Sequence, residues 1–273
     1  MKCSVGLILI AAVLVVGCGR SEVEQAATPA AAAPAPEPAE AAESSAAFPA
    51  DQATASITGR VLFDGDPPER EQIPAETIAA SRDELCIAHH TDEPLLSEEL
   101  IVAEDRAIRN VLVHVRSFPQ EWEHQPPEAS KRITQISCAF VPHVAAVMTG
   151  QTMIVTSDDD TAHNVHYQGR LNRVRRGNVT ISKGEELEWT FRRPEIGTSY
   201  IKCDIHPWMR CYIPILDHPY FVVTGDDGAF QLGQLPPGEY EIEAWHATLG
   251  TQQQTITLAD GETAEVELAF GRN

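Results

Sequence analysis

The sequence predicts an all-β protein that follows a secretory leader and a long polar tether. Three observations carry this. Beyond residue 54 the apolar residues fall in short runs of strand length, Gly, Pro and Asp punctuate those runs at regular intervals, and long amphipathic helical stretches are scarce. With 273 residues, 43% of them hydrophobic, the chain can supply a core for one large or two modest domains.

The leader is Lys2 followed by an apolar run from Val5 to Val16, then Gly17 and Cys18. It is too short for a comfortable membrane span and reads as a secretory signal. Leu14-Val15-Val16-Gly17-Cys18 resembles a bacterial lipobox, which would make Cys18 the lipid-bearing mature N-terminus; a plain signal peptide cut nearby is the alternative. Gly19 stands where an Asp would hold a lipoprotein in the inner membrane, so the outer membrane is favoured, with the protein on its periplasmic face or at the cell surface. Residues 19–54 are rich in Ala, Pro and Glu without apolar periodicity, so they are expected to form a disordered, self-repelling tether.

The strands expected next are Ser56 to Phe63, Ile108 to Arg116, Ala139 to Met148, Gln151 to Thr156, Ala162 to Tyr167, Asn178 to Ser182 and Glu186 to Phe191. Tyr200 to Lys202, Arg210 to Leu216, Tyr220 to Thr224, Ala229 to Leu232, Glu239 to Trp245, Thr251 to Leu258 and Thr263 to Phe270 complete the set. No internal repeat is visible. The formal charge of -20, from 40 acidic against 20 basic residues, argues against a nucleic-acid partner, which would require clustered Lys and Arg. It fits a basic protein partner, or simply a well-solvated surface.

The two ends of this region share a pattern. Ile57-Thr58-Gly59-Arg60-Val61 with Asp64-Gly65-Asp66-Pro67-Pro68, Asn110-Val111-Leu112-Val113-His114-Val115, Thr224-Gly225-Asp226-Asp227-Gly228-Ala229-Phe230 and Leu235-Pro236-Pro237-Gly238-Glu239-Tyr240 resemble the carboxypeptidase regulatory-like module. The resemblance implies a small β-sandwich related to transthyretin, built from residues 55–129 and 218–271, with a second domain, 130–217, inserted at a loop. It implies no peptidase activity. Asp-Gly and Pro-Gly pairs are what tight hairpins require.

Within the insert, Cys203-Asp204-Ile205-His206-Pro207-Trp208-Met209 and the earlier Thr161-Ala162-His163-Asn164-Val165 carry the chemistry. They resemble the cupredoxin family, whose Greek-key β-sandwich holds type 1 copper, and the Cys-x2-His-x2-Met spacing is closest to the amicyanins. The resemblance implies four ligands, His163, Cys203, His206 and Met209, with Asn164 stiffening the Cys203 loop through a hydrogen bond. Two imidazoles and a thiolate in a plane, with a weak axial thioether, suit both copper oxidation states, so little moves when an electron does. A dinuclear copper site lacks its second cysteine, since residues 204 and 205 are Asp and Ile, and structural zinc prefers Cys and His without methionine. Family resemblance also implies that electrons leave by the edge of His206, ringed by Pro207 and Trp208.

Other histidines and cysteines need a reading as well. His166 lies an odd number of residues from His163 on one strand, hence on the opposite face. His143, His218 and His246 make a second metal site or, the preferred reading, hydrogen-bond backbone where the domains meet. Of Cys86, Cys138, Cys203 and Cys211, copper claims Cys203. An oxidising compartment favours pairing Cys86 with Cys138, with Cys138 to Cys211 as the rival. Cys86-Ile87-Ala88-His89-His90 reads as a solvated loop. No phosphate loop, nucleophile elbow or His-Glu-x-x-His pair is present.

The expectation is therefore a lipid-anchored extracytoplasmic carrier of single electrons with one type 1 copper ion, and not an enzyme. Its partner would be a redox protein such as a c-type cytochrome. A copper-storing or structural envelope lipoprotein is the alternative, and a copper oxidase, which would need an open metal position, is a third.

Overall fold

A computed structural model describes residues 46–47, 49–91 and 93–271. The lipobox with Cys18, and the tether up to residue 45, lie outside them. The fold is all-β, as the short punctuated runs predict, and the strands assort into two sets of sheets.

In the first set, Phe221–Val223, Leu112–Ser117, Gly238–His246 and Gly250–Leu258 form one antiparallel sheet in that order. The other sheet has Ala55–Asp64 at its centre, antiparallel to Ala229–Leu235 and parallel to Thr263–Gly271. Period-2 alternation explains the packing, because Val266, Leu268 and Phe270 point inward from one strand while their neighbours stay in water. They meet Ile57, Val61, Val113, Val115 and Ile242 in a continuous core. Tyr240, fully buried there, gives its hydrogen to the Pro236 carbonyl at 2.6 Å. Gly228 closes the Asp226-Asp227-Gly228 turn at φ +64°, where an added Cβ would sit 2.7 Å from the Val61 carbonyl oxygen.

The second set carries the metal-ligand candidates. Asn178–Ile181, His163–Gln168, Tyr200–Lys202 and Arg210–Tyr212 form one antiparallel sheet. A second contains Glu186–Thr190, Thr152–Ser157, Lys131–Ile136 and Ala139–Val141, with Lys131–Ile136 parallel to Thr152–Ser157. Between them lie Ile133, Phe140, Val155, Val165, Trp189 and Ile201. Leu112, Ala146, Leu216 and Trp245 form a smaller core that draws on strands of both sets.

Several expectations need correction. The run Ala139 to Met148 is two strands, Ala139–Val141 and Val147–Met148, because Pro142 has no amide hydrogen to continue a ladder. Pro214 divides Arg210 to Leu216 into Arg210–Tyr212 and Ile215–Leu216 in the same way. Lys131–Ile136 is a strand that the sequence hides, since buried Gln135 stands where alternation calls for an apolar residue. Two short helices, α1 (Ala75–Ala80) and α2 (Glu84–His89), are not among the expected elements, and α2 takes in Cys86 to His89, read as loop. The side chain of Asp83 caps α2, accepting from the amides of Leu85 and Cys86 at 3.0 and 3.1 Å.

Gly59 tests the packing of the central strand, because a Cβ there would lie 1.9 Å from the Val266 carbonyl oxygen. In denaturant unfolding, Gly59→Ala is expected to cost about 2–4 kcal/mol. Gly233→Ala, with no atom within 4 Å of the new methyl, should stay within about 0.5 kcal/mol of the parent.

Candidate metal centre

His163 opens the strand His163–Gln168, and Cys203 directly follows the neighbouring strand Tyr200–Lys202, so pairing of these strands brings imidazole and thiol to one end of the sandwich. His206 and Met209 lie on the turn after Cys203. That turn is closed by its own backbone, with Met209 N–H on the His206 carbonyl at 2.9 Å and Cys203 N–H on the Met209 carbonyl at 3.1 Å. All four side chains are buried, and His206 is 0% exposed.

The ligand atoms of His163, Cys203 and His206 lie within 4.8 Å of one another. The Nδ1 atoms of the two histidines are 3.0 Å apart, and Cys203 Sγ is 3.6 Å from Nδ1 of His206. On the far side of each ring the Nε2 atom faces a carboxylate, Asp159 Oδ2 at 2.7 Å for His163 and Asp83 Oδ2 at 3.3 Å for His206. With each Nε2–H directed at its carboxylate, both Nδ1 lone pairs point at one another and at the sulfur. Such a buried cluster of acceptors fits a soft or borderline cation, and Met209 on the same turn adds a thioether to the set.

Electrostatics point the same way. Burial alone would push the Cys203 thiol up, but hydrogen bonds to His163, His206 and the Asn164 amide hold it down to about 6. Burial would likewise lower His163, whereas Asp159 and Cys203 raise it to about 9. Asp159 is itself held below the carboxylate range, burial being outweighed by His163 and by the amides of Cys138 and Ser137. Without metal, the two shifts run in the direction that favours an imidazolium–thiolate pair.

Asn164 sits where the resemblance implied. Its amide donates to Cys203 Sγ at 3.3 Å, and its side-chain oxygen accepts from the Asp204 amide at 3.2 Å. His166 is on the other face, half-buried, with Nδ1 2.9 Å from Asp204 Oδ2. Cys86 and Cys138 are joined in a disulfide, while Cys203 and Cys211 are free and buried. Two expectations fail here. Cys86 to His89 is helix and not solvated loop, and α2 lies against the Nε2 edge of His206, so that edge is no bare exit.

Among the described residues, His143, His218 and His246 belong to no ligand cluster. His218 stacks with His114 and meets Phe118 edge-on, its Nδ1 accepting from the Tyr220 amide at 3.2 Å, and burial pushes it down to about 3. His246 accepts from the amides of Thr248 and Leu249, both at 3.2 Å. His143 lies 3.8 Å from Glu98.

The residues that sequence reasoning overlooked are the two carboxylates. Asp159 stands four residues before His163 in an Asp-Asp-Asp run, and Asp83 precedes Glu84-Leu85-Cys86 as a helix-capping signal would. In a chain with 40 acidic residues neither stands out.

No protein-family model matches the chain, and no curated protein matches it. Among solved structures it is similar to a purple cupredoxin from Nitrosopumilus maritimus, at 19% identity and a TM-score of 0.27, over 31% of this chain and 98% of that one. It is similar to amicyanin from Paracoccus versutus at 16% identity and a TM-score of 0.28, over 38% and 96% of the two chains. A Cu-containing nitrite reductase from Thermus scotoductus matches at 21% identity and a TM-score of 0.28, over 39% of this chain and 26% of that one.

The paired Cys203 and His163 give a direct check on the metal-free protein. A folded-state thiol pKa below the ordinary value means the thiolate persists at neutral pH, so its ultraviolet absorbance should vanish only as pH falls through about 6. Ordinary cysteine loses it near about 8.5. Burial pushes Cys211 strongly up, so it adds no signal near neutrality. His163→Ala should move the midpoint upward, and a parent midpoint at the ordinary value would contradict the pairing.

Proposed function

We propose that this chain is a type 1 copper protein that carries single electrons outside the cytoplasm. One observation carries the reading: two Nδ1 atoms 3.0 Å apart and a depressed thiol converge in a dry site, each ring locked from behind by a carboxylate. His163, Cys203 and His206 would hold the ion, with Met209 as the weak fourth ligand. Bound copper would supply a one-electron couple. The protein's contribution is a ligand set built into strand ends and a closed turn, which resists rearrangement between oxidation states.

In this reading residues 130–217 are a cupredoxin-like domain inserted in a carboxypeptidase regulatory-like sandwich of residues 55–129 and 218–271. Cys18 anchors the protein by lipid to the cell envelope, and the tether lets it reach partners. Exposed Glu84, Asp158 and Asp204 flank the ligand loops, so a basic redox protein such as a c-type cytochrome suits that end. Arg170, Arg173, Arg175, Arg176, Arg192 and Arg193, all exposed, lie beyond the other end of the strand that begins at His163.

A second reading, copper storage, draws support from the complete burial of His206, because a carrier exchanges electrons faster through a ligand near its surface.

Optical titration of the full chain with Cu(II) tests the proposal. An intense visible band from thiolate-to-copper charge transfer, saturating at one equivalent, is expected. Cys203→Ser should abolish it and Met209→Leu should retain it, since the thioether is the weak ligand. A saturated parent without the band would end the type 1 assignment. A band with negligible electron exchange toward small redox reagents would favour storage.

A further inference from the structure

Of the two carboxylates behind the histidines, Asp83 lies three residues before Cys86, and Asp159 is hydrogen-bonded to the amide of Cys138, the disulfide partner of Cys86. Both oxygens of Asp159 accept from backbone, Oδ1 from Ser137 N–H at 2.6 Å and Oδ2 from Cys138 N–H at 2.9 Å, and Oδ2 also holds His163. Asp83 divides its oxygens in a similar way. Oδ1 caps α2 through the amides of Leu85 and Cys86, while Oδ2 takes the Thr161 hydroxyl at 2.7 Å and faces His206 Nε2. Cys86 Sγ lies 3.5 Å from the same Nε2 and is bonded to Cys138. Trp208, two residues beyond His206, donates its indole hydrogen to the Cys138 carbonyl at 2.9 Å. A closed circuit results, running from His206 through Asp83, α2, Cys86, Cys138 and Asp159 to His163.

We propose that α2 is a disulfide-held cap on the metal centre, with Asp83 the positioning residue for His206, and that this cap governs metal retention and electron exchange at that ligand. The proposal rests on the reading of the site as a copper centre. Its physical basis is threefold. A helix of six residues has no stability of its own, and α2 fully buries only Cys86, with Leu85 packed partly buried against the same core, so the disulfide is its covalent attachment. A carboxylate on Nε2–H fixes the tautomer that turns Nδ1 toward Cys203. Its negative charge, close to a buried ion, favours the more highly charged oxidation state.

Two variants of the full chain test this, Asp83→Asn and the double Cys86→Ser/Cys138→Ser, with Asp83→Glu as the conservative control. Asp83→Asn should keep the charge-transfer band, raise the reduction potential and weaken Cu(II) binding about 10–100-fold. Asp83→Glu should recover most of the loss. The double-serine variant should release copper to excess chelator at least about tenfold faster, because freeing α2 removes the same outer contact. In the metal-free protein, hydrogen exchange at the Leu85 and Cys86 amides should accelerate on reduction of the disulfide, while the strand amides stay protected.

Unchanged potential, affinity and release rate in variants that keep the band would overturn the cap. If the parent takes no copper, the copper reading falls instead, and amide exchange at Leu85 and Cys86 still decides whether the disulfide holds α2 in place.

Discussion

Two imidazole nitrogens and a sulfur meet where water cannot reach, and each imidazole has its other nitrogen directed at a carboxylate. Facing lone pairs at this separation are unfavourable in a low-dielectric interior unless positive charge lies between them. A proton on His163 meets that need in the metal-free protein, as the elevated pKa of His163 and the depressed pKa of Cys203 show. A metal ion would meet it better, because it satisfies all three donors together. Much of the surrounding structure can be understood as keeping this arrangement from relaxing.

Each ligand is fixed by a different part of the fold. His163 is set by its strand register against Asn178–Ile181 and by Asp159, which is itself held by two backbone amides. Cys203 is set by strand Tyr200–Lys202 and the amide of Asn164. His206 is also held from outside its own sheets, since its outer nitrogen meets Asp83 and Cys86, both from a segment far earlier in the chain. The disulfide links that segment to the residue whose amide Asp159 holds. Stability of the centre and attachment of α2 thus have a common covalent point.

Legibility in the sequence followed the range of the interactions. The all-β class showed in local alternation and turn chemistry, as in Val266, Leu268 and Phe270 or the Asp226-Asp227-Gly228 turn. The grouping of His163, Cys203 and His206 was legible through the resemblance that the Cys203–Met209 loop and the earlier His163-Asn164 pair carry, and the structure brings the three side chains together. Separation of His166 from His163 followed from strand geometry. Lys131–Ile136 escaped notice because Gln135 breaks the apolar pattern while being buried. Asp83 and the covering of His206 depend on contacts between distant segments, and Asp159, though only four residues from His163, is one carboxylate in an acidic run that carries no mark of its partner. The helices were hidden by length, six residues each being too few for a period to show.

The central claim is that His163, Cys203 and His206 take one copper ion together. X-ray absorption at the copper edge of the full chain loaded with one equivalent tests it most directly. The account requires a first shell with one short copper–sulfur distance and two imidazole nitrogens, and Cys203→Ser must remove the sulfur. A shell of oxygen and nitrogen alone in the parent protein would contradict it.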